Sequence, residues 1–117
     1  MLIKFNTSNG TMTIVAEAFF PATKKDIKKL KKSVVNPEDL EKVEEAIKNM
    51  IKQIRAYAND CKARKEIHEM SRKEEIESSF NYSAECRKIT FYKLEKMKAE
   101  DTIRALNQNL EDLHGKG

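Results

Sequence analysis

Between Glu38 and His114 the chain contains neither glycine nor proline. These two residues are the strongest local breakers of helix, and so long a stretch without them argues for long helices over many short strands. The entry to the stretch is well marked. Asn36 offers an N-cap side chain, Pro37 suits the first helical position, and Glu38 and Asp39 complement the positive end of the helix dipole. Leu40, Val43, Ile47, Met50, Ile54, Tyr57 and Cys61 then recur at spacings of three and four, a seam of coiled-coil type. Beyond Cys61 the seam positions turn polar at Arg64, His68 and Ser71, while Ala63, Ile67 and Met70 offer a displaced stripe. A second run carries Ile89, Tyr92, Leu94, Met97, Ile103, Leu106, Leu110 and Leu113, most regular in its final turns.

Two seams in one chain cover each other only if the chain reverses. The segment SSFNYS (78–83) is the strongest turn signal in the stretch. A reversal near residue 80 sets Ile54 beside Leu106, Met50 beside Leu110 and Ile47 beside Leu113. Ser71 and Glu74 form a capping box that marks a second place, near residue 71. An unbroken helix over 37–113 would be about 115 Å long and could bury its seam only against another chain. The expectation is the reversal near 80, with helices over 37–78 and 83–113. Tyr57, Phe80, Tyr82, Phe91 and Tyr92 are expected to fill the core or the seam.

Residues 1–20 read as a β-hairpin. Asn9-Gly10 suits a two-residue type I′ turn, which pairs Ser8 with Thr11, Phe5 with Ile14 and Ile3 with Ala16. Ile3, Phe5, Met12, Ile14, Ala16 and Ala18 then share one face, and Lys4, Asn6, Thr11, Thr13 and Glu17 the other. Leu2, Val15 and Phe19 are apolar exceptions on the polar face, placed to meet a second helix or a partner. A lone hairpin is marginal in water, so its apolar face is expected to lie on a helix.

Residues 23–35 read as a short helix. Thr23 caps it, and Asp26 sits three residues on. Ile27, Leu30 and Val34 make a narrow apolar stripe. Lys24, Lys25, Lys28, Lys29, Lys31 and Lys32 fall on one continuous sector roughly 160° wide. Charge singles out the same segment. The net charge is +4. Residues 21–35 hold six lysines against Asp26, while 36–71 hold seven basic and eight acidic groups and 72–117 hold nine of each. The whole positive excess therefore comes from one short helix, and the rest reads as a finely mixed, solvated helical surface.

The chemistry-bearing residue types do not assemble into a catalytic set. Adjacent carboxylates such as Glu44-Glu45 and Glu74-Glu75 diverge by about 100° on a helix. Glycine-rich phosphate loops, GxSxG and HExxH are absent from the sequence. Cys61, His68 and Cys86 lack a convincing fourth ligand for a structural zinc. The expectation is a non-enzymatic protein without cofactor or metal. The sequence shows no secretory signal, and its two widely spaced cysteines suit reduced thiols, so a cytoplasmic location is expected. No apolar stretch approaches the ~20 residues that span a bilayer, and a membrane is not an expected partner.

The lysine helix is the candidate binding surface. Lysine is a flexible point charge that suits phosphate, without the bidentate base reading of arginine. The arginines, Arg55, Arg64, Arg72, Arg87 and Arg104, are scattered along the long helices. Contact with nucleic acid is therefore expected at the backbone and without sequence preference.

The opening MLIKFNTSNGTMTIVAEAFFPATKKDIKKLKK, the small size, the composition rich in Lys, Glu, Ile and Asn and the helical remainder resemble small proteins of phages and mobile elements in low-GC Gram-positive bacteria, among them anti-CRISPR inhibitors. The resemblance covers the whole layout. It implies a bacterial host cytoplasm and a blocker without turnover, docking on an effector such as a CRISPR nuclease complex. The basic charge argues against mimicry of DNA and for contact with guide RNA, target DNA or an apolar effector surface.

The fold class expected is α+β in a single domain over 1–117: an N-terminal β-hairpin, a short Lys-rich helix, then two long antiparallel helices forming a coiled-coil-like helical hairpin. The function expected is an inhibitor or accessory factor docking on a nucleic-acid-handling nucleoprotein complex. Residues near 62–82 are expected to be open to such a partner. The alternatives are nonspecific DNA or RNA binding through the lysine helix, or a structural homodimer through the long-helix seam.

Overall fold

In a computed structural model the chain has the expected α+β architecture, and the structure describes residues 1–9, 12–34 and 36–115. Strands β1 (Leu2–Asn9) and β2 (Met12–Phe19) are followed by helices α1 (Lys24–Ser33), α2 (Pro37–Lys73) and α3 (Phe80–His114). The chain divides into two compact units, one of residues 1–52 and 102–117, the other of residues 53–101.

In the first unit β1 and β2 pair antiparallel, with Ile3 opposite Ala18, Phe5 opposite Ala16 and Ser8 opposite Thr13. This corrects the expected register by two residues. A slide of two keeps every side chain on its face, so the sorting into faces survives while the partners change. The observed register places Lys4 opposite Glu17 and Leu2 opposite Phe19, a cross-strand pair of unlike charges and an apolar pair. It also extends the ladder at its base, where Met1 N donates to Phe20 O at 3.0 Å and Phe20 N to Met1 O at 2.8 Å. The turn expected at Asn9-Gly10 includes Gly10, which lies outside the described residues; Asn9 itself pairs with Met12.

Phe5, Thr7, Ala16 and Ala18 are buried on the covered face. Thr7 is satisfied there by donating from Oγ1 to Ile14 O. Met12, expected on that face, is 67% exposed. The core of this unit continues through Phe20, Ile27, Leu30 and Val34 to Val43, Ile47, Met50 and Ile51 of α2 and Ile103, Leu106 and Leu113 of α3. Burying each large aliphatic side chain contributes about 1.5–3 kcal/mol.

Polar links fix how α1 and its lead-in sit. Thr23 Oγ1 accepts from Asp26 N at 3.2 Å, the expected cap. Asn36 Oδ1 accepts from Glu38 N at 3.0 Å and starts α2 at Pro37. Ala22 is held at both its backbone groups by Asn109 of α3. His114 Nε2 lies 3.0 Å from Glu44 Oε1.

In the second unit the chain reverses across residues 74–79, between the two places weighed from sequence. Arg72 and Lys73 complement the dipole at the end of α2. Ser79 caps α3, its Oγ accepting from Tyr82 N at 3.1 Å. No glycine or proline is needed. Glu74 N and Glu75 N instead bond back three residues, to Ser71 O and Arg72 O, and close the last turn tightly.

The buried apolar residues of this unit are Ala58, Cys61, Ile89 and Ala99. Tyr57, expected in the seam, is 47% exposed, and Ala58 takes the inward place. A straight helix drifts by about 20° per heptad against a strict seven-residue repeat, which carries the seam from one position to the next. The displaced stripe also fails to turn inward: Ala63, Ile67 and Met70 are exposed and His68 is half-buried. Leu94 and Met97 of the expected second seam are exposed as well. Among the described residues no helix is long and apolar enough to cross a membrane.

Candidate partner and nucleic-acid interface

The apolar stripe of α1 decides which way its lysines point. Ile27, Leu30 and Val34 are at most 4% exposed, so the opposite sector of the helix is turned to solvent. Lys24, Lys25, Lys28, Lys29 and Lys32 are all exposed there. Their sector is roughly 140° wide at 100° per residue. Among the described residues no carboxylate oxygen lies within ion-pair distance of any of the five ammonium groups.

Lys31 stands apart. It sits at the edge of the sector, next to the apolar stripe, and is half-buried. Its Nζ donates to Asp112 O at 3.1 Å and to Gly115 O at 2.9 Å. Those carbonyls belong to the end of α3, where no intrahelical donor remains and the dipole favours a cation. Five of the six lysines expected at the interface thus form an open row, and the sixth closes a helix terminus.

One lysine of the row, Lys29, borders an apolar surface. Leu2, Val15 and Phe19 are 41%, 61% and 65% exposed on the outer face of the hairpin. A shallow open recess is lined by Leu2, Glu17, Ala18 and Phe19 together with Asp26 and Lys29 of α1. Of the apolar exceptions noted in the sequence, Leu2 and Phe19 thus share the recess with Lys29 and with the carboxyl-bearing Glu17 and Asp26, and all three exceptions stay exposed.

The second unit offers a different surface. Its helix-facing groups are largely polar. His68 Nδ1 contacts Glu85 Oε2, the His68 ring stacks on Tyr92 with centroids 5.7 Å apart, and Arg72 Nη1 approaches Cys86 Sγ at 3.9 Å. Tyr57 Oη donates to Glu95 Oε2 at 3.1 Å. Hydrogen bonding with Cys61, then with Glu95, pushes the Tyr57 phenol up to about 12, because either group in its anionic form opposes a phenolate. Arg64 is raised above its ordinary value, first by its hydrogen bond to Asp60 and then by Tyr92.

Ile67, Met70, Ile76, Phe80, Phe91 and Leu94 of this unit are between 50% and 78% exposed. Phe80 and Phe91 therefore do not fill the core or the seam as expected; only Tyr82 and Tyr92 of that aromatic set are half-buried. Smaller or polar side chains occupy the seam positions, an outcome that a spacing pattern does not reveal. The roles of Asn109 and of Lys31 as a helix cap are likewise invisible to local sequence reading, since each depends on a residue more than eighty positions away.

No family model, curated protein or solved structure matches this chain.

Proposed function

We propose that the protein acts by binding, without turnover, as an inhibitor or accessory factor that docks on a nucleic-acid-handling nucleoprotein complex in a bacterial cytoplasm, in the manner of an anti-CRISPR protein on a CRISPR nuclease. The observation that carries this reading is the row of five exposed lysines on α1 without a carboxylate partner. Such a row attracts phosphate, speeds encounter and reads no base sequence. The exposed apolar side chains of Leu2 and Phe19 beside Lys29 support a composite partner. Phosphate has no use for exposed aliphatic and aromatic side chains, whereas a protein surface beside bound nucleic acid would cover both.

A second reading, direct nonspecific binding of DNA or RNA, is favoured by the lysines taken alone. Five phosphate contacts would weaken affinity by about 500-fold between 50 and 200 mM salt, since log affinity falls with a slope near −0.9 per contact. Mobility shifts of the isolated protein at those two salt concentrations separate the readings. Tight binding with that salt slope supports the second. Silence with bare nucleic acid, followed by capture of a complex from host lysate that disappears after nuclease treatment, supports the first. Retention of every binding activity after charge reversal at Lys24, Lys25, Lys28, Lys29 and Lys32 sinks both.

A further inference from the structure

We propose that the outer edge of β1 pairs with β1 of a second copy of this chain, joining two hairpins into one four-stranded antiparallel sheet. The inference is independent of the function proposed above, because it rests on backbone groups and not on the lysine row.

The parity of the ladder decides which groups are available. Met1 and Phe20 exchange both of their hydrogen bonds and are therefore a hydrogen-bonded pair. Along an antiparallel ladder such pairs alternate with non-bonded ones. In the observed register Ile3, Phe5 and Thr7 direct their N–H and C=O groups towards β2, and Leu2, Lys4, Asn6 and Ser8 direct theirs outward. Among the described residues nothing bonds to the outward groups of Leu2, Lys4 or Asn6. The following helix does not close this edge, since α1 packs against β2.

An open edge of eight residues is a template for another strand unless something blunts it. Here the protection is slight. The strand contains no proline and no inward-facing charge, and Lys4 is its only charged residue. An extended backbone is thus the ligand chemistry that fits, and self-pairing fits it fully. With Lys4 opposite Asn6 of the second copy, and Leu2 opposite Ser8, all four outward residues of both strands are used, giving roughly eight new backbone hydrogen bonds. That arrangement is two-fold symmetric and isologous. It keeps like charges from standing directly opposite one another. Because even residues pair with even residues, the covered faces of the two hairpins stay on the same side of the sheet, with Phe5 beside its own copy at the axis. Each two-stranded hairpin, marginal on its own, also gains a neighbour.

Sedimentation equilibrium of the full chain over a wide concentration range tests the proposal, comparing wild type with Asn6→Pro. The Asn6 N–H faces away from β2, so proline there removes an outward donor and spares the ladder within the hairpin. The expected result is a monomer–dimer equilibrium for wild type and association weakened by at least about tenfold for Asn6→Pro, where each copy gives up a bond and exposes its partner's unmet carbonyl. A second measurement needs no substitution. Amide exchange followed by NMR should slow at Leu2, Lys4, Asn6 and Ser8 as concentration rises, while Ile3, Phe5 and Thr7 are protected throughout. A wild type that stays monomeric at every concentration overturns the proposal and leaves the edge to a strand of another protein. A dimer in which those four amides exchange as fast as in the monomer overturns it equally.

Discussion

Asn109 binds both backbone groups of Ala22 with its one amide: Oδ1 accepts from Ala22 N at 2.8 Å, and Nδ2 donates to Ala22 O at 2.9 Å. The pair spans 87 positions of sequence and ties the link between β2 and α1 to α3. Asn109 is only 3% exposed, so water cannot readily replace it. Asn109→Ala is expected to lower stability by about 2–3 kcal/mol, since it strands a donor and an acceptor together. Asn109→Asp restores one bond and sets a carboxylate against a carbonyl oxygen, and is expected to recover little. Urea unfolding of both variants measures the difference.

The six lysines of α1 are expected to separate into two classes. Lys31→Ala removes the donor from the end of α3 and should cost about 1 kcal/mol of stability, while the salt slope of any nucleic-acid binding stays unchanged. Lys28→Ala or Lys25→Ala should leave stability within about 0.5 kcal/mol and reduce the salt slope by about 0.9 for each phosphate that the lysine would otherwise neutralise. Thermal melts together with binding isotherms at several salt concentrations give both quantities for each variant.

Tyr57 supplies a pH signature. Its phenol is pushed up to about 12 in the folded chain, against 10.0 for an unhindered tyrosine. The protonated form is therefore favoured by folding. That contribution is complete below pH 10 and is lost as pH rises from 10 towards 12. Ultraviolet titration should show the Tyr57 phenol ionising late. Tyr57→Phe should remove the late step and flatten this part of the loss of stability in alkali.

Apolar residues of α3 should respond according to where they point. Leu106, fully buried, is expected to cost about 2–5 kcal/mol on replacement by alanine. Leu94, 50% exposed, is expected to change stability by no more than about 0.5 kcal/mol. If Leu94 belongs to a partner-binding surface, Leu94→Ala weakens capture of the partner instead. Denaturant unfolding and pull-down on the same preparations distinguish these outcomes.

Local chemistry is the legible part of this fold. The caps at Thr23 and Asn36 are readable because a side chain and the N–H it receives lie within three residues of each other. The faces of the hairpin are readable because strand alternation survives a slide of two. The register is not, because a plausible turn at Asn9-Gly10 competes with the match of Lys4 to Glu17 at the far end of the ladder. In α2 the spacing around Tyr57 and Ala58 admits either residue to the seam, and the small one goes in. At the candidate site the lysine sector follows from angular position alone. The withdrawal of Lys31 follows from the arrival of the α3 terminus, which no local pattern announces.

The modest size of the side chains enclosed between residues 53 and 101 has a dynamic corollary. Two alanines, a cysteine and one isoleucine give that stretch little cohesive area, and its polar links can be traded for water at small cost. Opening there would require far less free energy than melting the strands and the helices packed with them. The chain thus carries one portion built to keep its shape and another able to yield when something grips it.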